Sequence, residues 1–200
     1  MDLESPVFAR LAPIAKELGY PADWRIAHKL AGDLLPRPNL DELGPLHWTP
    51  PPAPEFSLPD QHQKKVSLSE YRGKPVILVF YLGAGCLHCT EQMTAMADRY
   101  SDFEKVGLSI LAISTDDITN LKDSQDNYSK GDIPFPIVSD AANNIFKRYT
   151  AHDDFEDQPL HGTFVLNAKG QILWSDISAD PFMDIDFLIK ESRRLVSLHK

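Results

Sequence analysis

Cysteine is scarce in this chain: among 200 residues there are two, Cys86 and Cys89. A pair three positions apart closes too small a loop to act as the staple framework of a secreted domain, so the thiols are read for their chemistry. Positive charge is also in deficit. With 20 Lys and Arg against 29 Asp and Glu the net charge is -9, and no basic stripe is present to meet a phosphate backbone, which excludes nucleic acid as an expected partner. The cations near the C-terminus, Lys190, Arg193, Arg194 and Lys200, alternate with acids and apolar residues as on a solvated helix face. No apolar run approaches the roughly 18 to 20 residues of a membrane span, and the opening Met1 to Pro6 has neither the basic nor the continuous apolar region of a secretory signal. The expectation is no membrane partner and a reducing, cytoplasmic setting.

What is present is organised around the stretch from Val76 to Gln92. Five apolar residues rich in β-branched types, followed by Tyr81, read as a central buried strand. Gly83 and Gly85 permit a sharp turn, and a helix that begins near Cys86 puts both thiols at its N-terminus. Unpaired backbone N-H groups and the helix dipole favour a thiolate there. His88 lies between the cysteines and, when protonated, would add to that stabilisation.

Before this stretch, Ser5-Pro6 is a helix start, and Val7, Leu11, Ile14 and Leu18 recur at helical spacing, interrupted by Pro13. Asp23 caps a second helical segment that ends near Leu35. Seven prolines between Pro36 and Pro54 demand an extended strap, with Trp48 as its anchor. The expected division is a helical arm and proline-rich strap over 1–50 and one domain over 51–200.

Within that domain, Phe56 to Leu68 reads as a hairpin, with Ser69 capping a short helical turn, and the strand at 76–81 follows. The helix after Cys86 is expected to run to Glu104, carrying Met93, Met96, Ala97, Tyr100 and Phe103 on its apolar face. A second buried strand spans 108–113, a polar loop at 114–117 caps a helix reaching about Tyr128, and Ile133 to Val138 is a short strand whose Pro134 and Pro136 suit an edge or a strand entrance. Asp140 caps a short helix bearing Ile145, Phe146 and Tyr149. An acidic, solvated loop covers 150–158; Thr163–Leu166 and Gln171–Trp174 form a hairpin; and Met183, Phe187, Leu188, Leu195 and Leu198 mark a terminal helix. Crossover helices give parallel strands and the late hairpin antiparallel ones, so the fold class is a three-layer α/β/α sandwich with a mixed sheet.

A Cys-x-x-Cys pair at a strand-to-helix junction suits reversible disulfide formation, one thiolate attacking an oxidised substrate and the other resolving the product. Zinc asks for four ligands and no second cysteine pair exists; c-type haem asks for His directly after the second cysteine, where Thr90 stands. Two inert buried cysteines are the bland alternative. Redox chemistry with neither metal nor cofactor is the expectation.

The segments Ala53-Pro-Glu-Phe-Ser-Leu-Pro-Asp60, Val66 to Tyr81, Pro134 to Asp140 and Thr163 to Ile172 together resemble the AhpC/TSA redoxins, that is, peroxiredoxins and their relatives, including the bacterioferritin-comigratory group. The resemblance implies a thioredoxin-like fold, here with an N-terminal helical extension. The family's Pro-x-x-x-Thr-x-x-Cys pattern falls on Leu82, Cys86 and Cys89, so Cys89 holds the peroxidatic position, Cys86 replaces the peroxide-holding threonine and Leu82 the shielding proline. Gln92 matches a Gln or Glu common in the family, and the family's arginine corresponds to His161. Against thioredoxins, Cys86 is instead the exposed nucleophile and Cys89 the resolving thiol, while the buried Asp becomes Phe80 and the cis-proline Gly162. Candidate site residues are therefore Cys86, Cys89, His88, His161, Thr163 and Gln92, with His161 and Thr163 expected to face the sulfurs. Three functions compete: a peroxidase working through a Cys86–Cys89 disulfide, a thiol-disulfide oxidoreductase with Cys86 as nucleophile, and a redox-sensing interaction module. The implied partners are a peroxide or disulfide substrate and a thioredoxin- or glutathione-type reductant, and a homodimer is compatible with the arm.

Overall fold

The computed structural model describes residues 49–126 and 132–199. The helices expected before Leu35, the Trp48 anchor and the helix end at Tyr128 lie outside these residues. A five-stranded sheet is the frame of the domain: β3 (Val76–Tyr81) is central, β4 (Ser109–Ser114) and β5 (Ile137–Ser139) run parallel on one side, and β8 (His161–Leu166) and β9 (Ile172–Ser178) run antiparallel on the other. All six residues of β3 are buried. This is why the segment reads as a continuous apolar run and not as an alternating one.

Side chains still alternate between two cores. On one face Leu78 and Phe80 meet Leu111, Ile113 and Phe164, and are covered by Phe56, Val66 and Leu68 of the leading hairpin, together with Phe146 and Tyr149. That hairpin pairs β1 (Ser57–Pro59) with β2 (Lys65–Ser67). On the other face Ile77, Val79 and Tyr81 meet Ile110, Ala112, Ile137 and Val165, covered by Met93, Met96, Phe103, Leu121 and Leu188. The covering helices there are α1 (Leu87–Asp98), α2 (Tyr100–Lys105), α3 (Ile118–Asp126) and α5 (Ile185–Leu198), while α4 (Asn144–Arg148) lies on the first face. The layered α/β arrangement follows: one sheet with an apolar layer on each side.

Four local expectations are corrected. The single helix expected to reach Glu104 is broken at Arg99 into α1 and α2; no Gly or Pro marks the break, which goes with Tyr100 stacking on Phe135, ring centroids 5.7 Å apart, and Arg99 bonding Asp102 and Asp186. The short turn at Leu68–Tyr71 is capped by Ser67, not Ser69, in a capping box with Glu70. Regular strand pairing in the edge segment covers Ile137–Ser139 only, because the prolines at 134 and 136 lack the ladder N-H. The terminal helix starts at Ile185 behind the Asp184 cap, so Met183 lies ahead of it; its buried residues are Ile185, Leu188 and Ser192, while Phe187 and Leu198 are exposed. Asp140, by contrast, caps as read: its carboxylate accepts from the N-H groups of Asn144, Ile145 and Phe146 at 2.7–3.1 Å. Within 150–158 a two-residue ladder pairs His152–Asp153 (β6) with Gln158–Pro159 (β7). The last prolines of the strap run extended along the β8–β9 turn, where Ile172 N-H donates to Pro51 O and Ala53 N-H to Gly170 O.

Candidate active site

The two cysteines sit where β3 gives way to α1. The chain must reverse sharply after Leu82, and Gly83 takes φ +85°, a backbone region that side chains with a Cβ avoid. A Cβ there would also fall inside the Asp116 carboxylate. That carboxylate accepts from Ala84 N-H at 3.0 Å and from Ser114 Oγ at 3.0 Å. The loop leaving β4 thus pins the turn that delivers Cys86, as expected for a site at the C-terminal ends of parallel strands. Asp116 was not singled out in the sequence; the signal available was a polar loop at the end of the strand that neighbours β3.

Cys86 is the N-cap of α1, in an extended conformation (φ -102°, ψ 108°), and its sulfur accepts Cys89 N-H at 3.1 Å. Sulfur here does the work that an oxygen usually does at this position, satisfying one of the orphan helix N-H groups. Cys89 begins the buried stripe of the helix, followed by Gln92, Met93 and Met96, at the i, i+3, i+4, i+7 spacing of one helix face. Its sulfur receives Leu82 N-H at 3.4 Å. The two sulfurs are joined in a disulfide, with Cα atoms 5.2 Å apart. Cys89 is 1% exposed, whereas Cys86 is half-buried.

His161 comes to the sulfurs from β8. Strand register opposes Thr163 to Val79 and Val165 to Ile77, so His161, Thr163 and Val165 share the face on which Cys89 lies. His161 Nε2 is 3.1 Å from Cys89 Sγ and 3.5 Å from Cys86 Sγ, while Nδ1 is 2.8 Å from Ala179 O. A carbonyl can only accept, so Nδ1 carries the proton, and in the neutral ring Nε2 turns its lone pair to the sulfurs. Burial holds the imidazole below its usual pKa, partly offset by the Ala179 carbonyl. Burial thus disfavours the charged ring in the disulfide state.

The other candidates occupy different places. Thr163 is buried on the same strand face as His161. Gln92 is buried on α1 and donates through Nε2 to Phe182 O at 3.0 Å. His88 is exposed, its Nδ1 3.8 Å from an Asp180 oxygen. Phe80 and Gly162 belong to the opposite core: Phe80 stands among the rings of Phe146, Tyr149 and Phe164 at centroid distances of 5.0–5.3 Å. A Cβ on Gly162 would come within 2.8 Å of the Phe164 ring, so close packing demands glycine there.

Comparison with known proteins adds to this geometry. The sequence model of the AhpC/TSA family matches residues 51–175. The chain is similar to "Peroxiredoxin Q, chloroplastic" of Triticum aestivum, 38% identical over 120 residues, covering 60% of this chain and 54% of the wheat protein. It is also similar to a peroxiredoxin of Thermoplasma volcanium, 29% identical over 126 residues and 61% of each chain. It thus spans a little over half the length of the plant relatives. Among solved structures, peroxidoxin BcpB from Mycobacterium tuberculosis superposes with TM-score 0.63 at 23% identity, covering 76% of this chain and 97% of that one. A Plasmodium vivax 2-Cys peroxiredoxin gives 0.66 at 18%, covering 74% and 96%. Both show the same thioredoxin-like fold. The cytoplasmic setting expected from the sequence does not stand, because the plant relatives from wheat, rice and poplar are chloroplastic by name. Among the described residues no helix is long and apolar enough to cross a membrane.

Proposed function

The chain belongs to the AhpC/TSA family, and from that premise we propose that it is a thiol-dependent peroxidase, reducing hydrogen peroxide or organic hydroperoxides through a Cys86–Cys89 disulfide. The carrying observation is the surroundings of Cys89, whose sulfur meets a backbone donor at 3.4 Å and a lone-pair imidazole nitrogen at 3.1 Å. Once the disulfide is reduced, His161 Nε2 takes the Cys89 proton and the resulting thiolate is held by the imidazolium and by Leu82 N-H. The thiolate attacks one peroxide oxygen and the O-O bond breaks. The other oxygen leaves as water or an alcohol with the imidazolium proton, and Cys89 becomes a sulfenic acid. Cys86 then attacks the sulfenic sulfur, its proton leaving with the hydroxyl as water, and the disulfide forms. A thioredoxin-type dithiol or two glutathione-type thiols supply the two electrons and two protons that restore the thiols.

In this reading Cys89 is the peroxidatic thiol, Cys86 the resolving thiol and His161 the base. Thr163 and Gln92 are positioning residues, Thr163 on the strand face that carries His161 and Gln92 fixing α1 to the Phe182 carbonyl. His88 lies on the surface beside Asp180. The segment over 1–50 is proposed as a unit separate from the redoxin domain over 51–200.

One observation favours a second reading. Cys86 is the more exposed sulfur and accepts an N-H at the helix N-terminus, which suits the attacking thiol of a disulfide oxidoreductase. Stopped-flow mixing of the reduced protein with hydrogen peroxide, or with a small disulfide, decides between them. Oxidation by peroxide at least about 10³-fold faster than for a free thiol, within what a positioned base and donors contribute, is expected. A peroxide reaction no faster than a free thiol, alongside fast exchange with the disulfide, assigns the oxidoreductase.

A further inference from the structure

We propose that the reduced form of this site binds one thiophilic divalent cation, of which zinc is the representative, through Cys86 Sγ, Cys89 Sγ and His161 Nε2. Counting ligands along the chain argues against a metal, because only two cysteines are present and His161 is 72 residues from the nearer one. The fold removes that objection. The three donor atoms all lie within 4.8 Å of one another. Two cysteines and a histidine are a recognised zinc set that leaves a fourth position for water.

The distances agree with this set. Zinc bonds of about 2.3 Å to sulfur and 2.0–2.1 Å to nitrogen, arranged tetrahedrally, put S···N edges at about 3.6 Å and the S···S edge at about 3.8 Å. The S···N edges in the structure are 3.1 and 3.5 Å, so His161 already stands close to a ligand's position. Reduction breaks the S-S bond, and two sulfurs no longer bonded move apart toward the required edge.

Three further features suit a metal. Nδ1-H of His161 is held by Ala179 O at 2.8 Å, the outer hydrogen bond that orients a ligating imidazole and leaves Nε2 free to coordinate. Each sulfur has its own backbone donor, Leu82 N-H for Cys89 and Cys89 N-H for Cys86, which steadies thiolates once their protons are displaced. Charge also balances: two thiolates and a dication are neutral, whereas two bare thiolates at so buried a place repel and are poorly solvated. Cys86, being half-buried, leaves the solvent side open for the fourth ligand.

Binding displaces two thiol protons and changes no oxidation state. Oxidation of the pair to the disulfide removes two electrons, which pass to a peroxide or a disulfide acceptor, and ejects the ion. The site therefore alternates between holding a cation and holding an S-S bond. This inference needs only reducible thiols, so it survives if the peroxidase reading fails.

The test uses the full chain, reduced with a phosphine, desalted without oxygen and titrated with Zn²⁺ against a chromophoric chelator, then with Co²⁺. One ion per chain is expected, with an intense thiolate-to-cobalt charge-transfer band. The disulfide form of the same unaltered protein should show neither. His161→Asn keeps both thiols and should weaken binding by more than the roughly 10- to 100-fold that losing an outer-sphere partner costs. The proposal is overturned if the reduced wild type binds no Zn²⁺ in competition with the chelator. It is equally overturned if His161→Asn binds as tightly as wild type, since the site would then be a two-sulfur chelate without the histidine.

Discussion

Serine in place of Cys89 stops peroxide reduction, while serine in place of Cys86 leaves the first oxidation close to its wild-type rate and blocks the step after it. Loss of a nucleophile typically removes about 10⁴- to 10⁶-fold in rate, since a serine hydroxyl is not ionised near neutral pH. Cys89 is assigned that role because the imidazole nitrogen and the Leu82 N-H converge on its sulfur. Cys86→Ser keeps an oxygen at the helix N-cap, where it accepts the Cys89 N-H at least as well as sulfur does. The helix start should therefore survive, and the variant should stop at a sulfenic acid that a dimedone-type reagent traps on Cys89. The converse outcome, with trapping or exchange confined to Cys86 in the Cys89→Ser protein and no rapid peroxide reaction in Cys86→Ser, assigns first attack to Cys86.

Asn in place of His161 slows the peroxide step by about 10²-fold at pH 6.5, and the deficit closes as pH rises. An unassisted thiol with a pKa near 8.5 is about 1% ionised at pH 6.5, whereas a thiol paired with an imidazolium ionises well below neutrality. By pH 9.5 both proteins present a thiolate and their rates should converge to within severalfold. A deficit of the same size at every pH would show that His161 shapes the pocket without moving a proton. The stability of the disulfide form changes in the same region by a separate route. Burial lowers the His161 pKa in the folded protein below that of the unfolded chain, so the unfolded chain binds the proton first as pH falls. Stability from the neutral ring is complete above about pH 6.5 and is lost as pH falls through the folded pKa. Melting curves of wild-type and His161→Asn disulfide forms from pH 7 to 5 should therefore lose their difference in slope only if another group is responsible.

How much of this was legible in advance differs by element. Val76–Tyr81 is legible to the residue, because full burial on both faces leaves a continuous apolar run directly ahead of the glycine turn. Asp140 was read as a cap for a similar reason: a short acidic side chain ahead of an apolar turn has one obvious set of donors. The break at Arg99 was not legible, since apolar spacing continues across it and the cause is tertiary, in contacts with Phe135 and Asp186. The start of α5 is less legible, since Met183 fits the apolar spacing yet lies ahead of the Asp184 cap, and Phe187 and Leu198 are large but exposed while Ser192 is small and fully buried. At the site, the cysteine spacing and the match of His161 to a family position were visible. The tautomer of that histidine was not, because it depends on the Ala179 carbonyl, a backbone group that no side-chain pattern announces. Asp116 escaped for the same reason: its role is to hold a neighbouring turn.

The shared turn of Cys86 and Cys89 also governs time. With their Cα atoms 5.2 Å apart at the start of α1, the captor of the proposed mechanism stands beside the attacker. Trapping on the timescale of side-chain motion, against a second peroxide that must arrive by diffusion, leaves a brief window for over-oxidation. On the proposed peroxidase reading, such a site makes a durable scavenger, poorly suited to being silenced by a burst of its own substrate, with its throughput set by how fast electrons return to the pair.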